Sequence, residues 1–239
     1  MRDWERTLGL VTLGPALWVQ GKYVRRVTPR LHEPEGAREG VTGEGPVLRL
    51  LIAGDSAAAG VGATSQDEAL CGQLVQRLSQ HYRVEWQLRA ITGLDSPGLE
   101  AMLDMAPERH FDAVVVSIGV NDVTNLMPPD RWVQWQERLA ALIEVRHQPR
   151  IIIHSAVPPM HGFTALPQPL RWYMGCWAKE MNERLKISIK GDTRKFFQWP
   201  QHNEVSEGLA TDGFHPGPAG YAAWAQGLHD LIVGADIEP

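Results

Sequence analysis

Three side chains in this 239-residue sequence have the types and spacing of a nucleophile and the groups that activate it. Ser56 stands in Gly54-Asp55-Ser56 and is followed by Ala57-Ala58-Ala59-Gly60, small residues that let a backbone bend sharply and a substrate approach closely. A serine hydroxyl is a weak nucleophile until a base takes its proton. Of the nine histidines, His215 has the context for that task, with Asp212 three residues before it. That spacing lets one turn present a carboxylate to imidazole Nδ1 while Nε2 points at the serine; the carboxylate fixes the tautomer and stabilises the imidazolium that forms. The tetrahedral intermediate of acyl transfer also needs donors at its oxyanion. The Ser56 amide, the Gly93 amide and the Asn121 side-chain amide are the candidates. Asp55 and Asp122, beside these residues, are expected to hold loops through side-chain-to-backbone hydrogen bonds.

Residues so far apart meet only if regular elements bring them to one place. Residues 47–53, 84–91, 111–119 and 150–157 are short runs rich in β-branched side chains, suited to strands buried on both faces. Helical patterns occupy 66–80, 97–105, 129–147, 169–189 and 218–233, with a weaker strand at 195–199. Five strands alternating with five helices predict a five-stranded parallel sheet with right-handed crossovers and helices on both faces. Ligands of such sheets bind at the carboxyl ends of the strands. Ser56 follows the first strand, Gly93 the second and Asn121 the third, and Asp212 and His215 precede the last helix, so the candidates gather at that edge. The loop 157–172 leaves the fourth strand there, and its Met160, Phe163, Leu166 and Trp172 are candidates for an acyl pocket. His154, within the fourth strand, is expected in the core, and Trp224 in helix packing.

Composition removes several alternatives. The chain is 44 % hydrophobic and 21 % charged, as ordinary globular domains are. Its 23 Lys and Arg against 28 Asp and Glu leave no basic excess for nucleic acid. Cys71 and Cys176 form no CxxC pair and no HExxH occurs, so no metal is expected. Residues 60–65, GVGATS, match neither a dinucleotide loop nor a phosphate loop, so no cofactor is expected either. The apolar run 8–19 falls short of the ~20 residues that span a bilayer and lacks a cleavage site after it. It is expected as a helix packed on the outside of the domain. With Lys22, Arg25 and Arg26 downstream, peripheral membrane contact through residues 8–26 is the alternative. Residues 28–46, with three prolines and four glycines, read as a connecting arm. The expected organisation is an N-terminal helix and arm over 1–46 and one catalytic domain over 47–239, in a cytoplasmic protein, with membrane-associated or periplasmic placement as the alternative.

Taken together, GDS, the glycine after the second strand, GVND and DGFHP, in this order over residues 47–233, resemble the four motif blocks of the SGNH (GDSL-like) hydrolases. The resemblance implies a flavodoxin-like three-layer α/β/α sandwich, with Ser56 as nucleophile, Asp212 and His215 completing the triad, and Ser56, Gly93 and Asn121 forming the oxyanion hole. Ala57 stands where many members carry leucine, at a position that supplies no catalytic atom. The stretches DSAAAGVGATSQDEALCGQL, VVVSIGVNDVTNL and ALPQPLRWYMG are similar to bacterial SGNH esterases and arylesterases, among them enzymes encoded with long-chain N-acyl-tyrosine synthesis clusters. The implied activity is hydrolysis of carboxylic acyl esters through an acyl-enzyme, with no metal or cofactor. The same machinery serves thioesterases, lysophospholipases and acyltransferases, and a non-catalytic binding protein on this fold is the alternative from another class.

Overall fold

Strands form at the four β-branched runs, at the weaker strand pattern near residue 195 and at one further segment. In the computed structural model, which describes residues 3–198 and 208–235 and the side chains among them except those of 3–8 and 10, they are β1 (Glu39–Thr42), β2 (Val47–Gly54), β3 (Arg83–Ala90), β4 (Ala113–Ser117), β5 (Ile151–Ser155) and β6 (Lys195–Gln198). They pair in the order β1-β3-β2-β4-β5-β6. β2 to β6 are mutually parallel. Counted alone they run 2-1-3-4-5, the flavodoxin-like order, whose direction of winding reverses between β2 and β4.

The sixth strand corrects the expected count of five. β1 comes from the segment 28–46 and pairs antiparallel with β3, from Glu39 opposite Gln87 to Thr42 opposite Val84. All four of its residues are exposed, so it is held by backbone hydrogen bonds and carries no apolar alternation that a sequence pattern could register.

The helices are α1 (Asp3–Val27), α2 (Ser56–Ala59), α3 (Leu70–Leu78), α4 (Ser96–Met105), α5 (Val120–Thr124), α6 (Pro129–His147), α7 (Leu170–Ser188) and α8 (Pro218–Gly234), with a 3-10 turn at Met160–Gly162. α3 and α8 cover one face, where Leu50 and Ile52 of β2 pack with Leu74, Leu78, Tyr221 and Leu228. Leu51 and Ala53, pointing the other way along the same strand, pack with Leu99 and Leu103 of α4 and Leu139 and Ile143 of α6. Burial on both sides explains the unbroken apolar run of β2. A third cluster joins α7 to the loop after β5 and receives Leu17 and Val24 of α1. His154 is fully buried in β5, and burial with the nearby Lys195 charge pushes its imidazole down to about 4.

α3 begins later than the expected residue 66. Gln66 is held outside the helix by its side chain, which donates to the Ala59 carbonyl at 2.9 Å, and its own carbonyl caps the new helix by accepting from the Ala69 and Gly72 amides. α1 is longer than the apolar run 8–19 and continues through Pro15. Among the described residues, no helix is long and apolar enough to cross a membrane.

Candidate active site

The end of β2 makes a sharp turn that presents Ser56. Gly54 ends the strand where a Cβ would run into the Ser117 carbonyl oxygen of neighbouring β4, so only glycine allows the two backbones to approach this closely. The Asp55 amide donates to that same carbonyl at 3.2 Å, and the Asp55 carboxylate caps α2 by accepting from the Ala57 amide at 3.0 Å. Ser56 is therefore the first residue of a short helix at the carboxyl edge of the sheet, beside the point where winding reverses.

The partners arrive from the loop before α8. Asp212 Oδ1 accepts from the backbone amides of Phe214 at 2.9 Å and His215 at 3.0 Å, which closes the turn. Asp212 Oδ2 lies 2.6 Å from His215 Nδ1, and His215 Nε2 lies 2.9 Å from Ser56 Oγ. A carboxylate only accepts, so Nδ1 carries the proton and Nε2 of the neutral ring is left to accept from the Ser56 hydroxyl. Burial pushes the Asp212 carboxyl up, but the bonds from the His215 ring and from the two amides outweigh it and hold the group below its ordinary value. The loop is fixed to the nucleophile's side by Tyr221 of α8, whose hydroxyl donates to the Val61 carbonyl at 2.7 Å.

The turn after β3 lies against the same edge, its Ile91 amide donating to the Gly54 carbonyl at 3.2 Å. Gly93 in this turn has φ +90°, a conformation that favours glycine. Asn121, in α5 after β4, donates from Nδ2 to the Leu94 carbonyl at 2.7 Å, which ties the two candidate oxyanion segments together. That bond uses one of the two Nδ2 hydrogens. Asp122 turns the other way, accepting from the Ser96 amide at 3.1 Å and from its hydroxyl at 2.9 Å at the start of α4. Burial pushes the Asp122 carboxyl up to about 6, against those bonds. Burial likewise pushes Asp55 up to about 7, opposed by the bond from the Ala57 amide and by the nearness of His215.

Ser56 and His215 open onto a cleft with an empty volume of about 920 Å³, the solvent at its mouth included. Its walls are mostly apolar: Ile118, Val120, Val157, Phe163, Leu209, Phe214 and Trp224 surround the few polar groups. Of the four residues expected to form an acyl pocket, only Phe163 lines it, its ring 4.7 Å from that of Phe214. Met160 and Leu166 are buried instead in the cluster between the loop, α1 and α7. Trp172 is 49 % exposed in the first turn of α7. The loop folds over its own apolar side chains, and the docked α1 helps cover them, so they fill space behind the cleft wall. The sequence reading missed Ile118, Val120, Val157, Leu209, Phe214 and Trp224. Phe214 sits between Asp212 and His215, a position that could have signalled it. Trp224 reads as ordinary helix packing, yet it reaches the cleft with its Nε1 donating to Ser155 Oγ at 3.2 Å. Among the described residues, no three His, Cys, Asp or Glu side chains converge as metal ligands would.

Comparison with known proteins bears on the fold and the family. No curated protein sequence matches the chain significantly. Among solved structures, the lipase Lip_vut3 from a goat rumen metagenome is similar, with a TM-score of 0.63 at 16 % identity over 80 % of this chain and 100 % of that one. Est24, a carbohydrate acetylesterase from Sinorhizobium meliloti, has a TM-score of 0.57 at 16 % identity, over 78 % and 99 % of the two chains. Axe2, an acetylxylan esterase from Geobacillus stearothermophilus, has 0.56 at 19 % identity, over 82 % and 96 %. At such identities the likeness is one of fold. The family model for GDSL-like Lipase/Acylhydrolase matches residues 52–223. That span contains every motif block and runs from β2 into α8, and so the chain belongs to the GDSL-like lipase/acylhydrolase family of serine hydrolases.

Proposed function

We propose that this protein hydrolyses carboxylic acyl esters in two steps, with Ser56 as the nucleophile. The observation that carries this reading is the continuous hydrogen-bonded line from Asp212 through His215 to Ser56 at 2.6 and 2.9 Å, opening onto an apolar cleft. Ser56 Oγ attacks the ester carbonyl while His215 Nε2 takes its proton, and the imidazolium is stabilised by Asp212. The oxyanion is received by the Ser56 and Gly93 amides and the second hydrogen of Asn121 Nδ2. His215 then gives its proton to the leaving alcohol, the acyl-enzyme forms, and water activated by the same imidazole releases the acid.

The acyl group is the part of the substrate that the cleft suits. Its aromatic and aliphatic walls gain by burying methylenes, at roughly 0.8 kcal/mol each, and a bare acetyl group would leave most of them uncovered. Acyl chains longer than acetyl are therefore the proposed substrates, in keeping with the motif-level resemblance to bacterial esterases and arylesterases. The test is hydrolysis of p-nitrophenyl esters from acetate to laurate by wild type and Ser56→Ala, together with labelling by an alkyl fluorophosphonate. Activity that rises beyond acetate, vanishes in Ser56→Ala by on the order of 10³-fold or more, and is blocked by a label on Ser56 supports the proposal. Wild-type protein that neither cleaves these esters nor takes the label overturns it.

A further inference from the structure

α1 carries apolar side chains on two opposite faces. Leu13, Leu17, Gln20 and Val24, at i, i+4, i+7 and i+11, form one stripe along the helix. Leu17 and Val24 are buried against the α7 cluster and Leu13 packs on it. Gln20 clamps the join, donating to the Gln168 carbonyl at 2.5 Å and accepting from the Leu170 amide at 3.0 Å. The opposite stripe repeats the spacing with Val11, Pro15, Trp18 and Lys22, flanked by Val19 and Arg26. Val11, Trp18, Val19 and Tyr23 are each between 59 % and 74 % exposed, although burial is the usual state of such side chains.

Charge indicates what this outer face meets. From residue 6 to residue 32 the sequence carries five basic residues, Arg6, Lys22, Arg25, Arg26 and Arg30, and no acidic one, in a chain whose formal net charge is −5. Lys22 Nζ lies 3.7 Å from the centroid of the Trp18 ring, so a cation and an aromatic ring share the outward surface. A second copy of the chain meeting this face across a two-fold axis would bring like charges together. Lipid headgroups of negative charge would neutralise them while the acyl boundary received Trp18 and Val11. No described helix is long and apolar enough to cross a bilayer, so the contact is one of a helix lying in the interface.

We infer that the outer face of α1 docks this protein on an anionic lipid bilayer. The direction of the helix gives the contact a further consequence. Gly9 faces the Tyr173 ring, whereas Gln20 is bonded at residues 168 and 170, so α1 runs toward the amino end of α7. That end follows the loop leaving β5, at the sheet edge that carries Ser56. The basic last turn of α1, with Arg25 and Arg26, follows Gln20 at that end of the helix. Docking holds that edge near a reservoir of acyl esters, a consequence that rests on the esterase reading, whereas docking itself does not.

The experiment is flotation of the full chain with vesicles of phosphatidylcholine, with and without phosphatidylglycerol, alongside sedimentation velocity without lipid. The expected result is flotation with the anionic vesicles that weakens as salt is raised. Replacing Arg25 and Arg26 together by Gln should weaken it roughly tenfold or more, and Trp18→Ser should weaken it also. Hydrolysis of a soluble ester should be unchanged in these variants, because none of the residues lines the cleft. Flotation that ignores lipid charge and both substitutions overturns the proposal. So does a dimer in solution that Trp18→Ser dissociates, which would assign the face to a second copy. An inactive protein that still floats would overturn the esterase reading and leave docking standing.

Discussion

The two oxygens of Asp212 have separate tasks. Oδ1 holds the loop closed through two amides, and Oδ2 faces the imidazole. An amide in place of the carboxylate can keep the first task and turn its NH2 to His215, which forces Nδ1 to accept and moves the ring proton to Nε2, where it blocks the base. Asp212→Asn is therefore expected to lower kcat by on the order of 10⁴-fold with little change in the denaturation midpoint, checked by ester kinetics beside urea unfolding. A stable variant with near wild-type kcat would contradict the assigned role. The cleft gives a second contrast. Phe163→Ala should lower kcat/KM for longer acyl esters more than for acetate, because a wall ring is lost, whereas Trp172→Ala should leave the chain-length profile unchanged. The profile across p-nitrophenyl esters reads both. Phe163 and Trp172 fall in one Pro-rich apolar stretch of the sequence, and nothing in its composition separates the residue that faces the cleft from the one that faces solvent at the start of α7.

At the scale of elements, the site depends on how closely β2 and β4 approach where their winding reverses. A methyl group at Gly54 has nowhere to go between the Ser117 carbonyl and the Ala58 side chain. Gly54→Ala is expected to cost about 1–3 kcal/mol of stability and to displace Ser56 from His215, so activity should fall further than the shift in urea midpoint explains. Unaltered kcat in this variant would show that the turn tolerates the extra atom. The parallel strands and long helices were legible in the sequence because each carries its own burial pattern; α6 spans Pro129–His147, as its periodicity predicts. β1 carries no such pattern, since its stabilising partner is the backbone of β3 and its side chains are exposed. The start of α3 was hidden for a related reason: the bond from Gln66 to Ala59 is decided by the fold of the α2 turn.

At the scale of the whole molecule, buried ionisable groups make stability depend on pH with opposing signs. Asp55 titrates at about 7 in the fold against an ordinary 3.8, so the folded state holds a proton that the unfolded chain has released. Its contribution is fully present below about pH 3.8 and is lost as pH rises through 7. Asp122, raised to about 6, acts in the same direction. His154, depressed to about 4 from 6.5, acts in the other: the unfolded chain takes up its proton first, so stability is lost as pH falls from 6.5 toward 4. Asp55→Asn keeps an oxygen for the Ala57 amide and cannot ionise. Relative to wild type it should gain stability as pH rises from 4 to 7, by a few kcal/mol on the order of magnitude set by ~1.4 kcal/mol per pH unit, and gain no more above. Urea midpoints of the two proteins across this range test it, and curves that stay parallel would count against a protonated Asp55.

By itself the sequence supplied the candidate reacting groups and determined the framework that carries them. Ser56, Asp212 and His215 announce their chemistry through type and local spacing, and the alternation of strand and helix patterns is enough to bring four distant segments to one sheet edge. Only the tertiary structure decided which apolar side chains wall the cleft and which lie behind it, because Phe163, Met160 and Leu166 are equivalent until the packing of the loop sets Phe163 at the cleft and the other two behind it. It also decided which side of α1 faces outward. An apolar stripe looks the same in sequence whether a neighbouring helix covers it or not, and burial belongs to the pair of surfaces that meet.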